Sequence, residues 1–71
     1  MIDLPPGDLE ELRRVLAENG VHDAVAFGSR VRGTSHRGSD LDLAVPRLSE
    51  RLDLVDAIEW SAMRTRVDLS D

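Results

Sequence analysis

The chain has 71 residues, a net charge of −5 and no cysteine. That length makes one domain, which buries only about 60% of the surface its unfolded chain exposes and has neither disulfide nor thiolate metal site to reinforce it. The acidic balance excludes a general nucleic-acid-binding surface, because phosphate backbones are held by surplus lysine and arginine, and all nine basic residues are arginine, several of them between Arg30 and Arg37.

In chain order, Asp8 and Glu11 form a capping-box pattern with Asp in the Ser/Thr role. Leu9, Leu12, Val15 and Leu16 then repeat at helical spacing until Asn19-Gly20, predicting a helix over 9–19. Val21 to Phe27 is a compact apolar run with β-branched and aromatic members, a strand ended by Gly28. Ser29 to Gly33 reads as one helical turn, and Thr34 to Ser39 has loop composition. A second strand follows over Asp40 to Val45, ended by Pro46. Ser49 caps a second helix over Glu50 to Met63, with Leu52, Val55, Ile58, Glu59 and Ala62 on one side, and Thr65 to Leu69 is a last strand. The order predicts an α/β fold, a small mixed sheet of about three strands covered by helices on one face. Residues 1–71 form a single domain with no repeat or linker. No apolar run approaches the roughly 20 residues of a membrane span, and MIDLPPGDLEEL lacks the order of a signal peptide, so a cytoplasmic protein without a membrane partner is expected.

The chemistry concentrates in FGSRVRGTSHRGSDLDLAV, residues 27–45. Two residues apart on a strand, Asp40 and Asp42 point to one face and can grip divalent ions from the same side. Hard cations such as Mg²⁺ take such oxygen ligands, with phosphate oxygens and water completing the shell. Gly28-Ser29 supplies a phosphate end, because glycine lets backbone approach an anion. Arg30 and Arg32 are placed to offset phosphate charge, and Ser39 joins Gly28 and Ser29 among the candidate nucleotide-binding residues. Taken singly, each assignment competes with a plainer one: a strand-ending turn for Gly28-Ser29, a cap for Asp40, a solvent-facing strand position for Asp42, a solvated loop for the arginines. Asp42 carries most weight, since a carboxylate between Leu41 and Leu43 is poorly explained by β-propensity. His22 and His36 read as surface residues, with no second histidine at ligand spacing. Trp60 reads equally as core edge or as partner anchor. A marginal core beside an apolar helix carrying Leu54, Ile58 and Trp60 predicts a homo-oligomer or hetero-oligomer.

Gly28-Ser29, ten intervening residues, Asp40-Leu41-Asp42 and the later Asp68 resemble the signature of the DNA polymerase β-like nucleotidyltransferase superfamily. The filler, Gly28-Ser29-Arg30-x-Arg32-Gly33 and Ser39-Asp40-Leu41-Asp42-Leu43, is similar to the minimal nucleotidyltransferases (MNT), antitoxins of type VII-like pairs whose partners are HEPN-domain toxins. The resemblance covers 27–45 and 66–68. It implies a minimal nucleotidyltransferase fold in which Asp40, Asp42 and Asp68 are catalytic and bind metal, Asp68 helping to activate the attacking hydroxyl. It also implies two Mg²⁺ ions, ATP as substrate, and transfer of AMP to a tyrosine of the HEPN ribonuclease. Measured against that family the chain is shortened after Asp68, which raises two alternatives: a catalytically degenerate module that neutralises its partner by occupancy, and a fragment of a larger transferase.

Overall fold

The computed structural model describes residues 2–36 and 38–71. Its elements run α1 (Asp8–Glu18), β1 (Val25–Phe27), α2 (Ser29–Arg32), β2 (Leu41–Ala44), a 3₁₀ turn (Leu48–Glu50), α3 (Leu52–Glu59) and β3 (Val67–Ser70). The three strands form one sheet in the order β1-β2-β3, with β1 antiparallel and β3 parallel to β2. This is the small mixed α/β arrangement the sequence predicts.

β2 lies between the other two strands, and its side chains alternate as an amphipathic strand should: Leu41 and Leu43 are buried, Asp42 and Ala44 are not. The apolar set meets Leu12 and Val15 of α1, Leu54 of α3, Val21 and Val45. One sheet face is therefore the core. Residues paired across neighbouring strands share a face, so Phe27, Asp42 and Asp68 form one row on the opposite face, and Val25, Ala44 and Ser70 a second.

Four boundaries differ from the sequence prediction by more than one residue: the start of β1, both ends of α3 and the start of β3. α1 ends as expected, with Gly20 at φ 68°. The Gly20 amide donates to Ala17 O and the Val21 amide to Leu16 O, a Schellman closure. Val21 thereby spends its amide on the helix end and its side chain on the core, so β1 begins at Val25 instead of Val21. α3 is shorter than the predicted 50–63 and is not capped by Ser49, which lies in the 3₁₀ turn. Its buried stripe is also shifted: Leu54 enters the core with Ala57 and Ile58 packed beside it, while Leu52 is 68% exposed. Trp60 is 86% exposed and lies outside the core. β3 likewise begins two residues later than predicted, at Val67.

The capping box at α1 is not formed. Gly7 occupies the N-cap in a left-handed conformation, and no side chain caps the helix. Asp8 is instead buried, and its two carboxylate oxygens accept from the Arg64 amide at 3.0 Å and the Thr65 amide at 2.9 Å. Glu11 accepts from the Ala62 amide at 2.7 Å and from Arg14 Nε at 2.7 Å. The two acids expected to start a helix tie it to the chain leading into β3, and the Ala62 amide, which a helix to Met63 would need for Ile58 O, is given to Glu11 instead. Burial pushes the Asp8 carboxyl upward, but hydrogen bonds from the Arg64 amide and from Thr65, with the Arg64 charge, outweigh it and hold its pKa below the ordinary value.

A carboxylate with a depressed folded-state pKa adds stability above its unfolded pKa of about 3.9 and loses it as pH falls through the folded value. Asp8→Asn keeps the shape but sets an amide NH₂ against one of two backbone N–H donors, and should cost about 1–3 kcal/mol at pH 7. Urea unfolding should show this gap between wild type and variant narrowing below about pH 4.

Candidate functional site

The site is built where β1 runs into α2, alongside the start of β2. Gly28 sits at φ 84° and ψ −160°, a region that only glycine adopts without strain. A Cβ at Gly28 would run into Asp42 Oδ2 and stand 3.2 Å from Asp42 Cγ. The Asp42 carboxylate thus leans directly over the Gly28 backbone, and a side chain at Gly28 would fill the space it uses. Register then places Asp42 between Phe27 and Asp68. Asp40, two residues earlier, lies in the chain just before β2, next to the bond that Leu41 N donates to Arg66 O at 2.8 Å. The topology therefore brings Gly28, Asp40, Asp42 and Asp68 to one end of the open sheet face.

Several of the chain's other acids are already engaged within the protein. Asp8 and Glu11 accept backbone amides, Asp23 receives Arg51 at 2.9 Å, and Glu18 pairs with Arg14. Among the described residues, the carboxylates of Asp40, Asp42 and Asp68 accept no hydrogen bond and join no ion pair. Their oxygens remain free for a hard cation, which is the donor set that Mg²⁺ prefers. As they stand, no three acidic or histidine side chains among the described residues converge closely enough to enclose an ion. Side-chain rotation would be needed to close a ligand shell around one.

The phosphate-side residues divide into two kinds. Ser29 opens α2 half-buried, with a hydroxyl that makes no hydrogen bond among the described residues, and Arg32 is exposed. Arg30 departs from the expectation that it offsets phosphate charge. It is buried, and its guanidinium donates from Nε and Nη2 to Ser39 O, at 3.1 and 2.9 Å, and from Nη1 to Asp3 O at 3.1 Å. The physical reason is that two carbonyls in otherwise irregular chain need donors, and one planar fork supplies both. Ser39 is likewise engaged in the loop, where its hydroxyl accepts from the His36 amide at 2.9 Å. Arg30 and Ser39 hold the loop that delivers Asp40: the guanidinium is committed to backbone carbonyls, while the Ser39 hydroxyl accepts from His36 and keeps its own proton to donate. His22 and His36 are exposed, as expected of surface residues. Arg37, part of the predicted arginine cluster, lies outside the described residues.

Two features were missed in the sequence. Leu41 N donates to Arg66 O at 2.8 Å, which brings Arg66 abreast of Asp40, and Arg64, Arg66 and Asp40 line one cavity. The period of two from Asp68 back to Arg66 was the available signal. Phe27 was read only as a strand former, yet it stands on the carboxylate face.

Residues 9–67 match the nucleotidyltransferase domain family. The chain belongs to that family. No curated protein matches the sequence. For a nucleotidyltransferase domain, carboxylates on adjacent strands beside a glycine-serine turn support a nucleotidyl-transfer type of function.

Gly28→Ala should displace the Asp42 carboxylate and force alanine into positive φ, at a cost of about 1–3 kcal/mol. Thermal unfolding should register that loss, and the double variant Gly28→Ala/Asp42→Ala should recover part of it by removing the collision.

Proposed function

We propose that this domain is an MNT-type antitoxin that transfers AMP from ATP to a tyrosine of a HEPN-domain ribonuclease toxin in the cytoplasm. The observation that carries the proposal is the register pairing of Asp42 with Asp68, with Asp42 lying against Gly28. Nucleotidyl transfer joins a hydroxyl oxygen to the α-phosphorus and expels pyrophosphate, so negative charge builds on both the entering and the leaving oxygens. Two bound Mg²⁺ ions would neutralise that charge. Asp40 and Asp42 would hold them from β2, and Asp68 would join from β3 and help to activate the acceptor hydroxyl. Gly28 lets the Asp42 carboxylate lie against its backbone at the phosphate turn, the Ser29 hydroxyl is free to bind the triphosphate, and Arg32 offsets its charge. The acceptor side chain comes from the partner.

A second proposal follows from the lack of convergence among the carboxylates. In it the domain is a degenerate transferase that neutralises its toxin by occupancy alone. The two differ in stoichiometry, because an occupant obeys mass action and a catalyst does not.

With ATP and Mg²⁺, a substoichiometric amount of antitoxin should inactivate excess toxin, which should stay inactive after separation and carry an added AMP mass on tyrosine. Asp42→Asn should abolish the adduct while shifting stability by no more than about 0.5 kcal/mol, since the residue is partly exposed and unpaired. Toxin neutralised equally by wild type and Asp42→Asn, without ATP and without a mass change, would establish occupancy instead.

A further inference from the structure

Phe27 and Trp60 are the only aromatic residues of the chain. Phe27 is 45% exposed and takes no part in the apolar cluster, because it lies on the sheet face opposite Leu41 and Leu43. Val25, on the same face of the same strand, is 60% exposed and also outside the cluster. β-propensity accounts for a phenylalanine in a strand but not for its placement on the bare face, where apolar area stays in water until something covers it. The position is also specific. Phe27 is paired with Asp42, Asp42 with Asp68, and the next residue along is Gly28, which the Asp42 carboxylate overhangs.

The two flanks of Asp42 therefore differ in chemistry. On the β3 side stand Asp68 and Arg66, both exposed and charged. On the β1 side is an apolar strip, Phe27 then Val25. A nucleotide with its triphosphate at Gly28-Ser29, beyond the end of β1, has an apolar ring to seat and a charged, hydroxyl-activating flank to avoid.

We propose that Phe27, extended by Val25, is the platform on which the nucleobase of the bound nucleotide stacks. The inference rests on the nucleotidyl-transfer reading of the same site and adds the base-recognition element to it. A phenyl ring reads the π-face that every base carries and none of the hydrogen-bonding edge. The platform accordingly favours the larger purines over pyrimidines and separates adenine from guanine little. Continuity with the phosphate turn and the carboxylate row argues for the base as occupant over a second copy of the chain.

Calorimetric titration of ATP and of inorganic tripolyphosphate, each with Mg²⁺, tests the proposal on wild type, Phe27→Ala, Phe27→Leu and Phe27→Trp at matched circular dichroism. Removing the ring should weaken ATP about 5- to 30-fold, the lower part of the range for base–aromatic stacking. Tripolyphosphate, which has no base, should bind all four proteins alike. Phe27→Trp should retain ATP affinity, and Phe27→Leu, which keeps apolar bulk without a π-face, should lose it even if Phe27→Ala does not fold. Wild type should bind ATP and GTP comparably and UTP more weakly.

Unchanged ATP affinity in the leucine variant, with wild type binding both ligands, would overturn the platform and leave nucleotidyl transfer standing. Equal loss of ATP and tripolyphosphate in the leucine variant would also overturn it, assigning Phe27 to the shape of the phosphate turn. A wild-type dimer that the leucine variant breaks, with ATP affinity unchanged, would assign the face to a second copy. Wild type binding neither ligand would overturn the transfer reading and the platform together.

Discussion

A single buried carboxylate at the start of the first helix governs where the last strand lies. Asp8 accepts the amides of Arg64 and Thr65 across a separation of more than 50 residues, and Glu11 adds the Ala62 amide one turn further along. These bonds stop α3, turn the chain and feed it into β3 in one register. Because side chains alternate with a period of two, a one-residue slip of β3 would send Asp68 to the core face and bring Leu69 out. The pairing of Asp68 with Asp42 is thus supported by an interaction at the start of α1.

The domain also separates its acids by task. Asp8 and Glu11 of α1 and Asp23 before β1 are engaged by backbone amides or guanidinium groups, and their pKa values are lowered: Asp8, against its burial, by the Arg64 and Thr65 amides, Glu11 by Arg14 and the Ala62 amide, Asp23 by Arg51. The three on the open sheet face have no protein partner among the described residues. Exposed pairs such as Arg14 with Glu18 add little to stability. Arg30 illustrates the same economy in reverse: its charge lies near the site, but its donors are committed to Ser39 O and Asp3 O. It orders the loop before Asp40, and Arg32, Arg64 and Arg66 are the exposed cations around the site among the described residues.

Legibility in the sequence followed the range of the interactions concerned. Local signals served well: the helical repeat of Leu12, Val15 and Leu16, the glycine closing α1, the alternation in Leu41-Asp42-Leu43, and the glycine-serine turn with its two aspartates were all visible from neighbours a few residues apart. The capping-box assignment failed for the same reason. Asp8 three residues before Glu11 is the local pattern of a helix start, but both side chains found partners near residue 64 that no window of sequence contains. The phase of α3 was misjudged because Leu52, Leu54, Val55 and Ile58 permit more than one stripe, and only packing against Leu12 and Val15 selects Leu54.

The sequence by itself determined the fold class, the nucleotidyltransferase family and which carboxylates are candidates for metal, because these rest on short-range periodicity and on a motif of fixed spacing. Tertiary structure alone decided that Asp68 pairs with Asp42, that Gly28 lies beneath the Asp42 carboxylate, that Arg30 turns inward, and that Phe27 faces outward on the same side as the acids. Each of those facts is a matter of strand register or of which face a side chain takes. Register is set by hydrogen bonds between residues distant in the chain, so it cannot be read until the chain has closed on itself.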